Sequence, residues 1–502
     1  MKKPALVFCV LTVLYTAVRV WRLDASCLWF DEIFSVHAAE HDWGSLVSFV
    51  AQDLIHPPLF YLVLKVWIAI GGEGAPWLRL LPVVFSVIAI FPFIRLCKEL
   101  KLTDTVTAIA LFLLAVNGSL IKYSQTLRMY SMLMFLSILS LWLFSRFFNR
   151  GKSFVWLVIA NVLLVYTHYY GWLLVFAEIS ALMIFQRIKW RRAVVMTGVL
   201  AVSFVPWLIA ILQAGQSGSS VAQNISWQTR PGLRELITFA TDLIEPFYFQ
   251  ASSAEPASIY VVSTPLLLLV LAMISLYVVE WQREEQRRSV LLLLIFTSVP
   301  FVVAFIASWV LPQSVWGTRH MIMILPPAMI LIANAIWNFP VRVVSYIAVV
   351  LVVVLAAIGF VRNAQRDVPQ QVWCEWNRVA AEIRATDRPT TKIYAFEDLA
   401  AYHLWFALRD TDRFRIGVIK GVEAANDDKA YFLPRGFDGV DRELIDEISD
   451  DTMWLAFRTL KPGDGQKLIS EFERRGYQVC HSYHVVSEST AVWWVEIGKS
   501  CR

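Results

Sequence analysis

The chain has 502 residues, 57% of them hydrophobic, 14% aromatic and only 17% charged. Soluble domains carry about 25% charged residues, so a single water-soluble globule is excluded, as are a disordered chain and a coiled coil. The net charge of +5 comes from 45 Lys and Arg against 40 Asp and Glu, scattered singly and not gathered into a stripe, which is no nucleic-acid signature.

Eleven apolar runs approach the roughly 20 residues that a transmembrane helix needs. They lie near 4–21, 77–96, 104–121, 129–148, 154–170, 172–188, 193–212, 257–280, 289–310, 321–338 and 342–361. The first follows Met1-Lys2-Lys3 and is followed by Trp21-Arg22-Leu23-Asp24, not by a small-residue cleavage site, so it reads as an uncleaved anchor. A further stretch, Leu59 to Ile70, is apolar apart from Lys65 but only about a dozen residues long, which suits a re-entrant or interfacial helix.

The positive-inside rule decides the topology. With 59–70 not crossing and the N-terminus cytoplasmic, one face collects Arg95, Lys98 and Lys101; Arg146, Arg150 and Lys152; Arg187, Lys189, Arg191 and Arg192; and Arg283, Arg287 and Arg288. The intervening loops hold few cations. Eleven spans then leave the outer loop 22–76, the loop 213–256 and a tail from about 363 on the outer face. The tail alternates strand and helix patterns: strands at Lys392–Phe396, Phe414–Ile419 and Met453–Phe457, helices at Asp398–Leu408 and Gln466–Arg475, and a hairpin of Tyr483–Val486 with Ala491–Ile497. The expected architecture is an α-helical polytopic membrane domain over 1–362 with a soluble extracytoplasmic α/β domain over 363–502. Six cysteines form no CxxC pair; Cys27, Cys374, Cys480 and Cys501 fall on the outer side, where disulfides are permitted, but spacing does not reveal their pairing.

No phosphate loop and no GxGxxG after a strand is present, which argues against a nucleotide-dependent enzyme. The densest polar region is the first outer loop, with Asp31-Glu32, His37, Glu40, His41, Asp42, Asp53 and His56-Pro57-Pro58. Carboxylates beside Trp29 and Phe30 can act as a general base or a substrate anchor, or be ordinary solvated loop acids. The His37–His41 set could bind a metal but lacks HExxH spacing, so no metal ligand is assigned and no cofactor is required, with a divalent metal left open. After the third run, Lys122, Tyr123, Gln125, Arg128 and Tyr130 bring two cations, two phenols and an amide to the outer surface. Such cations hold phosphate or snorkel to lipid headgroups. Arg319-His320 opens the tenth span, and His168 lies in an aromatic turn, Tyr166 to Gly171, that reads as interfacial belt or ligand. Glu178, inside the sixth span, is either functional or held by Asn161 or Ser180.

These residues carry a resemblance. Asp31-Glu32 and Asp53-x-x-His56-Pro57-Pro58-Leu59 resemble the Asp-Glu and His-Pro-Pro-Leu signatures of the protein O-mannosyltransferases and the aminoarabinose transferases of lipid A. Ser124-Gln125-x-x-Arg128-x-Tyr130 and Gly317-x-Arg319-His320 with Pro326 resemble two further stretches of those enzymes, in the same order over roughly residues 1–360. The resemblance implies the GT-C fold and a sugar carried on polyprenyl phosphate, transferred with inversion outside the membrane. It implies Asp31 as base, Glu32 as the acid beside it, and Arg128 and Arg319 near the lipid phosphate. Three positions depart from the pattern: Thr126 stands where relatives often have a carboxylate, His320 replaces Tyr, and Asp53 is one residue further from His-Pro-Pro than in the mannosyltransferases.

The function expected is an inner-membrane glycosyltransferase with a polyprenyl-phosphate sugar donor and a glycan, lipid or protein acceptor. A lipid or sugar transporter or flippase is the alternative from another class; the absence of an internal repeat and the charges gathered at one face speak against it. An oligosaccharide ligase is the alternative within the enzyme class. Membrane lipids are expected partners, nucleic acid is not.

Overall fold

The computed structural model describes residues 3–186, 189–216, 225, 228–247, 284–365, 374–385, 391–422, 440–459, 464–487 and 490–501. Two compact units emerge. The first comprises Met1–Leu23, Ala38–Ala251 and Pro256–Asp367; the second joins Asp24–His37 to Val368–Arg502. The first outer loop is therefore divided between them.

The first unit is helical. Among the described residues, six helices are long and apolar enough to cross a membrane: Ala75–Glu99, Tyr130–Arg150, Trp190–Gln216, Arg287–Val310, Thr318–Trp337 and Arg342–Gln365. Shorter apolar helices lie at Pro4–Val20, Leu59–Gly71, Asp104–Val116, Phe154–Thr167 and Gly171–Phe185. Ten of the eleven apolar runs are thus helical over most of their length, while 257–280, with Pro265, lies outside the described residues. Pro206 and Pro300 sit inside the helices Trp190–Gln216 and Glu284–Val310. Leu59–Gly71 has 13 residues, about 20 Å at 1.5 Å per residue, short of a hydrocarbon core of about 30 Å.

The run 104–121 is broken. Asn117 is extended, and its side chain accepts from the Leu120 N–H to start a new helix, Gly118–Ser124. Its amide also donates to the Asp242 and Leu243 carbonyls. The Phe247 N–H donates to Val116 O, so the segment 242–247 satisfies the backbone that the break leaves open. Arg19 does the same from the first helix. Buried and stacked on Tyr15, it donates to Leu114 O and Ala115 O at 3.0 and 3.2 Å. A cation at the C-terminus of Asp104–Val116 also complements the helix dipole. Glu178 is held by Ser140 at 2.6 Å and by Asn161 at 2.7 Å; Ser180 turns instead to Phe176 O. The intramembrane acid is therefore tied into a polar contact between helices.

The second unit carries a six-stranded sheet of β1 (Thr391–Ala395), β2 (Phe414–Lys420), β3 (Asp441–Leu444), β4 (Thr452–Thr459), β5 (Gln478–Ser487) and β6 (Thr490–Gly498), in the order β3-β2-β1-β4-β6-β5. The first four in that order are parallel, and β6 and β5 add an antiparallel hairpin. Parallel neighbours need crossovers, and the helix Asp398–Leu408 supplies the one between β1 and β2. Tyr394, Phe396, Leu455, Phe457, Leu468, Phe472, Val495 and Ile497 form its core. Asp24–His37 joins this unit through the Cys27–Cys374 disulfide and through Phe30 and His37, whose rings meet Tyr402 at 5.2 and 5.9 Å. Cys480 pairs with Cys501, and Cys9 and Cys97 are free.

Candidate functional site

The first unit gathers histidines and an arginine from four distant segments. The helix Trp43–Asp53 ends at Leu54, which takes a left-handed backbone (φ 61°). Pro57 and Pro58 keep the chain from resuming a helix before Leu59. His56 is thereby held between two helices, buried at 5% exposure. Its Nδ1 lies 3.8 Å from an Asp53 carboxylate oxygen, beyond hydrogen-bond reach, and 3.3 Å from Nη2 of Arg128.

Arg128 lies between the helices Gly118–Ser124 and Tyr130–Arg150. That segment is fixed from several sides: Gln125 donates to Arg19 O and Trp21 O, Thr126 to Lys122 O, and Ser131 to Tyr123 O. Arg128 is 3% exposed and donates to the Tyr61 hydroxyl at 3.2 Å and to His56.

His168 ends the helix Phe154–Thr167 in an extended conformation, and its Nδ1 accepts from the Tyr170 N–H at 3.1 Å. The turn closes tightly: a Cβ at Gly171 would lie 2.9 Å from the Leu164 carbonyl oxygen, so glycine is required. Tyr170 donates to Val315 O, which ties the turn to the segment leading to His320. His320 lies in the 3-10 helix Thr318–Ile324, and Gly317 leaves room for its ring, since a Cβ there would meet Nδ1 at 2.7 Å.

The three imidazoles cluster without stacking: His56 meets the other two edge-on, and His168 is tilted against His320. Ring centroids are 4.9 Å apart for His168 and His320, 5.3 Å for His56 and His168, and 6.4 Å for His56 and His320. One ring nitrogen from each lies within 4.8 Å of the others. Tyr170 and Tyr130 face His320 at 5.3 and 6.2 Å, and Tyr123 packs on Tyr130 at 5.0 Å. Burial holds the His56 imidazolium pKa well below its ordinary value, and the charges of Arg128 and Arg319 push it the same way. His56 is therefore neutral at physiological pH. A neutral imidazole beside a buried guanidinium favours a ligand bearing negative charge.

Of the residues singled out in the sequence, His56, Arg128, Tyr130, His168 and His320 meet here, with Asp53 beside His56 and Arg319 acting on it electrostatically. Lys122 lies against the Tyr123 ring, and Gln125 serves the backbone. Asp31 and Glu32 belong to the second unit. Asp31 is half-buried; Glu32 is buried and accepts from the Trp29 N–H at 3.1 Å, fastening the start of the helix Phe30–Glu40. Sequence reasoning missed Tyr61, hidden in an apolar run, and gave no partner for His168.

No protein-family model and no curated protein sequence matches the chain. Among solved structures, it is similar to the lipid A aminoarabinose transferase ArnT from Cupriavidus metallidurans in the apo state. The two are 12% identical over 98% of this chain and 97% of that one, with a TM-score of 0.61. The chain has the GT-C fold. It is also similar to ArnT bound to undecaprenyl phosphate, at 12% identity over the same shares and a TM-score of 0.56. The GT-C likeness runs through the helical part and the tail alike. At this identity it concerns the fold, and residue roles must be argued from this chain's own side chains.

Proposed function

We propose that this protein is an integral membrane glycosyltransferase that moves a sugar from a polyprenyl-phosphate donor to a glycan, lipid or protein hydroxyl on the outer face, with inversion. The observation that carries the reading is buried Arg128 against His56, with His168 and His320 beside them, on the fold of an enzyme whose structure has been solved with undecaprenyl phosphate. Arg128 and Arg319 bind the donor phosphate, with Tyr130 and Tyr123 beside them. The acceptor oxygen forms a bond to the anomeric carbon, the carbon–oxygen bond to phosphate breaks, and the polyprenyl phosphate leaves with the electron pair. Asp31 takes the acceptor proton, and Glu32 orders the backbone that presents Asp31. A guanidinium at the leaving oxygen acts where negative charge develops, which lowers the barrier.

The topology belongs to the same proposal: eleven spans, a cytoplasmic N-terminus, 59–70 re-entrant, and the tail from about 363 outside an inner membrane. The disulfides support the sidedness. The four cysteines expected outside form both bridges, and Cys9 and Cys97, expected in the membrane or at its inner face, stay free.

The test is transfer from a synthetic polyprenyl-phosphate sugar by the reconstituted full chain. General-base catalysis contributes about 10²–10⁴-fold, so Asp31→Asn should lose that much turnover while still binding polyprenyl phosphate. Near-normal transfer by Asp31→Asn moves the base elsewhere. A wild-type protein that neither copurifies with nor binds a polyprenyl phosphate sinks the whole reading.

A further inference from the structure

Three buried histidines within reach of one another suggest a transition-metal centre, and the hydrogen bonds around them point the other way. An imidazole that coordinates a metal through one nitrogen carries its proton on the other. Nδ1 of His56 faces a guanidinium N–H of Arg128 at 3.3 Å, and Nδ1 of His168 faces the backbone N–H of Tyr170 at 3.1 Å. Both partners can only donate. Each Nδ1 must therefore be the acceptor, and in each neutral ring the proton sits on Nε2. Nε2 of His56 and Nε2 of His168 are both buried with no hydrogen-bond partner among the described residues. They are two N–H donors, not two lone pairs. Metal coordination through these nitrogens would place a protonated Nδ1 against another N–H at both rings. The ring nitrogens are also spread over up to 4.8 Å, wider than the roughly 3.3 Å between nitrogens that bonds of about 2.0–2.1 Å to a tetrahedral metal require. Arg128 and Arg319 both act on His56, and that field repels a cation.

We infer that His56 and His168 form an oxyanion pocket: two tautomer-locked, neutral N–H donors that grip phosphoryl oxygen beside Arg128. The inference deepens the donor-phosphate reading and rests on it for the identity of the ligand. Its ligand class is an anionic phosphoryl oxygen, whether on a lipid headgroup or on free phosphate. Among the described residues, the charged and titratable groups acting on the two rings include Asp53, Arg128, Arg319, Tyr170 and His320, and Tyr61 holds Arg128. With the His56 ring neutral across the physiological range, the grip should not strengthen as pH falls through 6.5, as an imidazolium clamp would.

The experiment uses the full chain in nanodiscs, with undecaprenyl phosphate and inorganic phosphate as separate probes. The variants are His168→Gln, which keeps a neutral N–H donor at about the reach of Nε2, and His168→Leu, which removes it. Loss of one hydrogen bond to a charged ligand should weaken binding about 10- to 100-fold in His168→Leu, with His168→Gln within a few-fold of wild type and wild-type affinity not rising as pH falls from 8 to 5.5, since the rings stay neutral while the phosphate only loses charge. Equal damage in both variants, or affinity rising steeply below pH 6.5, overturns the pocket. So does stoichiometric zinc that is lost in His168→Leu and His168→Gln alike. Unchanged undecaprenyl phosphate affinity in both variants rejects the inference and leaves the glycosyltransferase reading standing. Wild-type protein that binds only inorganic phosphate, with the same histidine dependence, upholds the pocket and rejects the lipid donor. Binding of neither probe rejects both.

Discussion

Replacing Arg128 by Gln tests the site at a buried cation. The guanidinium donates to Tyr61 at 3.2 Å and to His56 at 3.3 Å, and is 3% exposed. These two bonds are long, their loss costs about 1–2 kcal/mol, and Gln can restore one of them. The ligand feels a larger effect. A charge-assisted contact to phosphate contributes about 1.5–3 kcal/mol, so undecaprenyl phosphate should bind roughly 10- to 150-fold more weakly at 25 °C. Arg128→Lys keeps the charge but cannot span Tyr61 and His56 together, and should fall between Gln and wild type. Removing the charge also removes one cause of the low His56 pKa, while burial, the larger cause, remains. The imidazole should shift upward yet remain largely neutral at pH 7. Titration calorimetry in nanodiscs reads the affinity and thermal unfolding reads the fold. Affinity within threefold of wild type in a folded Arg128→Gln protein would refute the claim that this cation holds the phosphate.

Two further outcomes are expected. Lys98 and Gln365 are both exposed, at opposite ends of the proposed topology; in a Cys9→Ser background, Lys98→Cys and Gln365→Cys should be labelled from opposite sides of the membrane, and labelling from one side breaks the eleven-span assignment. In the tail, burial pushes the His403 imidazole pKa down to about 3. An unfolded chain binds that proton near pH 6.5 and the folded one does not, so stability is complete above 6.5 and declines toward pH 3. The loss is at most about 1.4 kcal/mol per pH unit. His403→Leu should flatten the fall in thermal midpoint between pH 6.5 and 4.5, and an unchanged slope would assign that dependence to other groups.

The tail was largely legible because its strands and helices follow simple periods. The helix Asp398–Leu408 lies where the pattern puts it, and the expected hairpin is β5 and β6 with longer arms. β3 was not legible: Asp441-Arg442-Glu443-Leu444 is a polar edge strand with no apolar face to betray it. The break at Asn117 left a signal that the hydropathy count overrode, since Asn117-Gly118 is a turn pair inside an apolar run. The grouping of Asp24–His37 with the tail rests on a cysteine 347 residues away, and such pairing is not encoded in spacing.

The site shows the limit more sharply. His56 and Arg128 stand out in the sequence because polar residues at the ends of apolar runs are conspicuous. His168 sits among aromatic residues that an interfacial belt explains equally well, and only the fold brings it within 5.3 Å of His56. What the cluster can bind is decided one level lower still. The extended backbone at His168 and the tight turn that Gly171 allows aim a single N–H, from Tyr170, at Nδ1. Three histidines in a sequence are equally compatible with a metal and with an anion. That one N–H, together with Arg128 on His56, selects the tautomer and with it the sign of the charge the pocket accepts.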